Sequence, residues 1–230
     1  MSAHEHGGIL LQGDTLGAYL LVNVGTGLWL VAYALAIVYG FKYRTYGIPW
    51  VAIALNFTWE ALATFLWKAP FAVWHYGAIF WLVVDVVIVW QLVWYGRGSQ
   101  TVPELRRWFH PLVVASFALA LVGQYAFARF FDDWLGFVDS YLVNLTMSIL
   151  FIFMFIVRRD AGPLVLGVAW AKMFGTGLIS VGLVRMFPML YPGRRSYLLM
   201  YVLYAACFLI DALYVAVLHR ARRALQPRSA

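Results

Sequence analysis

The chain has 230 residues, 64% of them hydrophobic and 12% charged, with a mean hydropathy of +0.79. Soluble domains carry about a quarter charged residues, so a water-soluble fold is excluded. The net charge of +7 would suggest nucleic acid in a soluble protein, but here the basic residues sit at the ends of apolar runs, where they act as topology signals, and no nucleic-acid partner is expected.

In chain order, Met1 to Asp14 has no Lys or Arg and no small-residue cleavage signature, so no cleaved signal peptide is expected. Apolar runs near the roughly 20 residues that cross a bilayer follow at Ala18–Phe41, Ile48–Trp67, Trp74–Tyr95, Phe109–Phe131, Gly136–Val157, Pro163–Phe187 and Tyr197–Leu218. The expected fold class is an all-α membrane protein, a bundle of seven transmembrane helices forming one domain over residues 1–230. Punctuation supports these bounds: Tyr46-Gly47-Ile48-Pro49 opens the second span, Pro103 and Pro111 flank the fourth, Gly162-Pro163 opens the sixth and Tyr191-Pro192-Gly193 closes it. No internal repeat or low-complexity segment is evident.

Eleven basic residues fall on one side (Lys42, Arg44, Arg97, Arg106, Arg107, Arg158, Arg159, Arg220, Arg222, Arg223, Arg228) and four on the other (Lys68, Arg129, Arg194, Arg195). The asymmetry places the N-terminus outside and the C-terminus in the cytoplasm. Lys172 and Arg185 remain, both inside the sixth span.

Of the ten acidic residues, Glu60, Asp85 and Asp211 lie within spans two, three and seven; the others fall in tails, loops or helix ends. An ionised side chain at the bilayer centre costs about 2.5–3.5 kcal/mol even on the lenient insertion scale, so each of the three must face a polar interior, find a partner or stay protonated. A carboxyl that stays protonated in a dry cavity is a proton donor. Helical spacing puts Asn56, Glu60, Ala63 and Trp67 on one face, with Asn56 placed to hydrogen-bond Glu60; Trp74, Ala78, Trp81 and Asp85 share another. Tyr197, Tyr201, Tyr204, Phe208, Asp211 and Tyr214 form a stripe of aromatics around one carboxylate in span seven. Each aromatic also has a packing or interfacial reading. At 1.5 Å per residue, Lys172 is about 13 Å and Asp211 about 10 Å from the cytoplasmic helix ends, so a structural ion pair between them is open beside a functional role. For Asp85 a packing hydrogen bond and a site are both open. Glu60, next to Trp59 and with no basic residue in its own span, is the leading functional candidate.

Missing signals also narrow the function. Asp132-Asp133-Trp134-Leu135-Gly136 lacks the later acid of a magnesium-binding diphosphate motif. The lone intraspan lysine is in helix six, whereas retinal proteins carry theirs in helix seven. Cys207 stands alone, which excludes disulfides and cysteine metal sites, and His4-Glu5-His6 reads as a tail cluster. His75, His110 and His219 read as interfacial residues at helix ends. The sequon Asn144-Leu145-Thr146 lies inside a span. No metal and no cofactor are expected.

Phe41-Lys42-Tyr43-Arg44-Thr45-Tyr46-Gly47, Asn56-Phe57-Thr58-Trp59-Glu60, Lys172-Met173-Phe174-Gly175 with Arg185, and Phe208-Leu209-Ile210-Asp211-Ala212-Leu213-Tyr214 together resemble the small seven-helix integral-membrane terpene cyclases of fungal meroterpenoid and indole-diterpene biosynthesis, with bacterial relatives acting on prenylated indoles. The resemblance runs nearly end to end. It implies catalytic roles for Glu60 and Asp211 and a proton-initiated cyclisation, in which an acid protonates a terminal alkene or epoxide of a linear prenyl chain. Asn56, Trp59, Trp81, Asp85, Asn144, Lys172, Tyr204 and Tyr214 are the candidates for holding substrate or stabilising its cation. The implied partners are a lipid-soluble prenylated small molecule and membrane lipids; oligomeric state is open. The bias of 14 Arg against 3 Lys suggests a GC-rich bacterial source and hence the cytoplasmic membrane. Competing readings are a proton-coupled transporter using Glu60, Asp85 and Asp211 as a relay, and a non-catalytic lipid- or pigment-binding scaffold.

Overall fold

A computed structural model describes residues 14–67, 69 and 71–225. Lys68, Arg228 and the His4-Glu5-His6 cluster fall outside them. The described chain is helical throughout, without strands: α1 (Asp14–Tyr43), α2 (Trp50–Phe65), α3 (Ala72–Tyr95), α4 (Pro103–Phe131), α5 (Phe137–Arg158), α6 (Pro163–Leu190) and α7 (Leu198–Leu225). Every apolar run read from the sequence is a helix. Six of them are long and apolar enough to cross a membrane, all but α2. At 16 residues, α2 is only about 24 Å long against a hydrocarbon core of about 30 Å.

Two boundaries correct the sequence reading. Pro111 lies inside α4, not before it, and the helix starts at Pro103. The added segment is amphipathic: Glu104, Arg106, Arg107, Trp108 and His110 are exposed, while Phe109 is fully buried and stacks on Trp50 at 5.4 Å. The backbone carbonyl that Pro111 leaves unpaired can therefore be solvated. At the other end of the chain α7 runs on past Leu218 to Leu225 with Arg222 and Arg223 in its last turn, where cations complement the helix dipole. Three connections close through left-handed residues that are not glycine, Arg44, Asp132 and Arg159. At the first two the next N–H reaches back to close the helix, Thr45 to Gly40 O at 3.0 Å and Asp133 to Ala128 O at 2.9 Å.

The described residues divide into two compact units, one of residues 14–35 and 151–225 and the other of residues 36–150, so α1 and α5 contribute to both. In the second unit α2 packs on α3 and α4; in the first, α6 packs on α7. Large apolar side chains including Val83, Trp94, Leu119, Val122, Phe130 and Leu209 stay exposed, the surface expected of helices that meet lipid.

Candidate functional site

In the unit of residues 36–150, Pro49 precedes α2 with φ −54°, a position where its missing N–H costs nothing. The helix then presents Asn56 and Glu60 one turn apart. Glu60 is buried, and its Oε2 has no hydrogen-bond partner among the described residues. Asn56 does not serve it: the Asn56 amide donates to Asp85 Oδ2 on α3 at 2.9 Å. The amide has an acceptor opposite it on the neighbouring helix and bonds that instead of the residue one turn along its own. Asp85 is 2% exposed and lies within electrostatic range of Glu60. The expected Asn56–Glu60 unit is thus replaced by an Asn56–Asp85 bond flanking Glu60.

Several contacts hold α2 in register. The Trp59 indole N–H donates to the Gly136 carbonyl at 2.9 Å, and its ring meets Trp67 edge-on at 5.5 Å. Gly136 has φ +71°, and a Cβ there would collide with the Trp67 ring, so this turn admits only glycine for two independent reasons. Thr58 Oγ1 lies 2.6 Å from Gln124 Oε1 on α4, whose amide donates to the Leu55 carbonyl at 2.9 Å. Trp81, one turn before Asp85, is half-buried, as is Asn144 on α5. Of the three acids at the α4–α5 turn, read from sequence as loop and helix-end groups, Asp132 is exposed and two are buried: Asp133 is fully covered and Asp139 is 5% exposed. Asp133 Oδ2 accepts the Asp139 N–H at 2.8 Å, capping the start of α5.

The unit of residues 14–35 and 151–225 holds a second polar cluster. Lys172 Nζ on α6 lies 2.7 and 2.8 Å from the two Asp211 carboxylate oxygens on α7, and both residues are 2% exposed. The ion pair left open by depth along the two helices is formed. Trp29 on α1, which the sequence reading passed over, places its ring 5.2 Å from Lys172 Nζ and donates its N–H to Thr176 Oγ1 at 3.3 Å. Gly25 and Gly175 make this possible, since a Cβ on Gly25 would sit 2.7 Å from the Gly175 carbonyl oxygen and one on Gly175 would strike Trp29. The signal was present in the sequence as Gly175 and Thr176 directly after the Lys172 turn, but small residues recur throughout membrane helices and single out no partner. The aromatic stripe on α7 divides: Tyr204, Asp211 and Tyr214 are buried, whereas Tyr201 and Phe208 are about 40% exposed. Cys207 takes the buried position beside Lys172 and Asp211. Tyr214 stacks on Phe151 at 5.8 Å.

Chemically, the first cluster offers a buried carboxyl with an open oxygen beside the Asn56–Asp85 bond, and the second a fixed charge pair under an indole face. The first suits proton donation into an apolar ligand, and the second suits stabilisation of developing charge. Among the described residues no group of His, Cys, Asp and Glu is arranged to hold a metal ion.

The family described as Pyr4-like transmembrane terpene cyclases matches residues 15–224. Similar curated proteins are the terpene cyclases spyD of Aspergillus fumigatus, 28% identical over 48% of this chain and 47% of that protein, and esdpB of Penicillium shearii, 28% identical over 47% and 44%. Terpene cyclase cle7 of Aspergillus versicolor is 31% identical over 39% of this chain and 38% of its own. The matched region spans under half the length of each of these relatives. No solved structure matches the chain.

Proposed function

Because the chain belongs to the Pyr4-like transmembrane terpene cyclases, we propose that it cyclises the linear prenyl chain of a meroterpenoid, such as a farnesylated indole, by proton-initiated carbocation chemistry. Glu60 is the acid. It gives its proton to a terminal alkene or epoxide, the cation passes along successive double bonds, and loss of one proton ends the reaction, so an alkene substrate and its product are isomers. The observation that carries this reading is the buried Glu60 carboxyl with one oxygen unpartnered among the described residues, set beside the Asn56–Asp85 bond. Excluding water favours proton transfer to carbon over transfer to solvent.

Asp211, paired with Lys172, is assigned the stabiliser or final base, not the initiating acid. Trp59, Trp81, Tyr204 and Tyr214 offer aromatic faces worth about 0.5–2 kcal/mol per cation contact, and Asn144 a polar contact. The family match runs across both compact units, which supports one domain over 1–230. We read α2 as a seventh span, lengthened by the buried approach Thr45–Pro49, with the N-terminus outside. The arginine bias supports a bacterial cytoplasmic membrane.

The test is mass spectrometry of membranes holding the protein, incubated in deuterated buffer with farnesylated and geranylgeranylated indoles, with and without a terminal epoxide. An isomeric product with one carbon-bound deuterium is expected from an unepoxidised substrate. Glu60→Gln is expected to lower turnover by about 10²–10⁴-fold, the usual scale for general acid catalysis; a folded, fully active Glu60→Gln protein would sink the mechanism.

A further inference from the structure

Among the buried residues of α2, α3 and α4 only two are titratable, and both are carboxyls: Glu60 on α2 and Asp85 on α3. α2 packs on both of the other helices, and the buried residues that α4 brings are Phe109, Val113, Ala120, Gln124 and Ala128, none of them charged. Titratable groups elsewhere on α3 and α4 are exposed, as Tyr76, Tyr125 and Arg129 are, or lie towards the ends of α3 with His75 and Tyr95, each ten residues from Asp85. The other buried acids of this unit, Asp133 and Asp139, interact with each other. Glu60 and Asp85 thus lie within electrostatic range of one another with no buried cation on these three helices among the described residues.

Their surroundings treat the two carboxyls differently. Asp85 Oδ2 receives the Asn56 amide N–H at 2.9 Å. Glu60 Oε2 receives no donor among the described residues. The polar side chains just before it on α2 are turned elsewhere: Asn56 to Asp85, Thr58 towards Gln124 Oε1 at 2.6 Å, and the Trp59 indole N–H to the Gly136 carbonyl at 2.9 Å. A donated hydrogen bond stabilises a carboxylate more than a carboxylic acid, and two neighbouring carboxyls in a low-dielectric interior do not both ionise. A single negative charge on the pair therefore rests on Asp85.

We infer that Asn56 and Asp85 are positioning residues for the reaction: Asn56 assigns the negative charge of the buried pair to Asp85, and Asp85 keeps the proton on Glu60, the open carboxyl. This rests on Glu60 being the initiating acid. When Glu60 acts, its O–H bond breaks and the proton bonds to the alkene carbon or epoxide oxygen, leaving a Glu60 carboxylate and a cationic prenyl chain. Asp85 gains and loses no proton in that step. Its charge keeps Glu60 loaded between turnovers, and the cation created in the transfer offsets the second carboxylate charge as it forms. Both residues act through Glu60, a role distinct from the substrate contact expected of them from sequence.

The experiment is infrared spectroscopy of the full chain in lipid, following the carboxylic C=O bands as pH rises. Glu60→Gln and Asp85→Asn each assign a band by its loss. The Asp85 band is expected to vanish at least about one pH unit below the Glu60 band, with Glu60 still protonated at pH 7. Asp85→Asn should lower the pH at which the Glu60 band vanishes by about one unit or more, and Asn56→Leu should raise the pH at which the Asp85 band vanishes by about one unit, the scale of one hydrogen bond to a charged group. The reverse order of the two bands, or an unmoved Glu60 band in Asp85→Asn, overturns the role of Asp85 while leaving Glu60 as the acid. An unmoved Asp85 band in Asn56→Leu overturns the role of Asn56. If Glu60→Gln removes no C=O band at pH 7, Glu60 is ionised, and both its assignment as donor and this inference fall. A merely structural role for either residue would lower Tm and leave the bands in place, so each variant's Tm is read alongside.

Discussion

Replacing Lys172 by methionine isolates the energetics of the second cluster. The Lys172 ammonium lies 2.7 and 2.8 Å from the two Asp211 oxygens, both residues are 2% exposed, and Trp29 covers the ammonium at 5.2 Å. Methionine keeps much of the volume and removes the charge, leaving Asp211 with no countercharge in a low-dielectric interior. Breaking a buried pair by removing one partner costs about 3–5 kcal/mol. Spread over a chain of this size that corresponds to a fall in Tm of roughly 6–20 °C, measured by thermal unfolding of the purified protein in detergent or nanodiscs. Lys172→Met combined with Asp211→Leu removes both charges and should regain most of the loss, because apolar replacements of a whole buried pair are often neutral. The coupling between the two sites then measures the pair. A Lys172→Met protein within about 2 °C of the parent, or a double variant no more stable than the single, would refute the pairing as a buried structural contact.

Other outcomes follow from the geometry. Gly136→Ala forces a side chain into a left-handed backbone position, which alone costs about 1–2 kcal/mol, and drives a methyl into Trp67; both a lowered Tm and a turnover loss are expected, since the Gly136 carbonyl anchors Trp59 beside Glu60. Unchanged Tm in that variant would show that the turn does not hold α2. Orientation can be read with membrane-impermeant thiol reagents, because Cys207 is buried and is the chain's one cysteine. In a Cys207→Ser background, a cysteine replacing Arg97 should label only from the cytoplasmic side and one replacing Arg194 only from outside. The reverse pattern would overturn the topology.

Much of the architecture was legible because lipid imposes a single demand, satisfaction of every backbone polar group within a long apolar helix, and such runs are visible in one dimension. All the helices, the Gly162-Pro163 start of α6 and the Tyr191-Pro192-Gly193 exit were readable on that ground. Membrane cost likewise singled out Glu60, Asp85, Lys172 and Asp211, since a polar group in a span must have a reason. Depth along two helices allowed the Lys172–Asp211 pair without deciding it. What sequence order could not reveal was which neighbour answers each polar group. Asn56 sits one turn from Glu60 yet bonds Asp85 across to α3, and Trp29 reaches Lys172 from 143 positions away in the chain. Cys207 displaces Phe208 from the buried face because the packing of α7, not its aromatic periodicity, chooses which residues turn inward. Asp133 and Asp139 looked like solvated loop acids until the turn folded them under cover. Periodicity and burial cost are properties of a single helix and are written along the chain. Partnership depends on the rotation and close approach of one helix against another, and only the tertiary structure decides it.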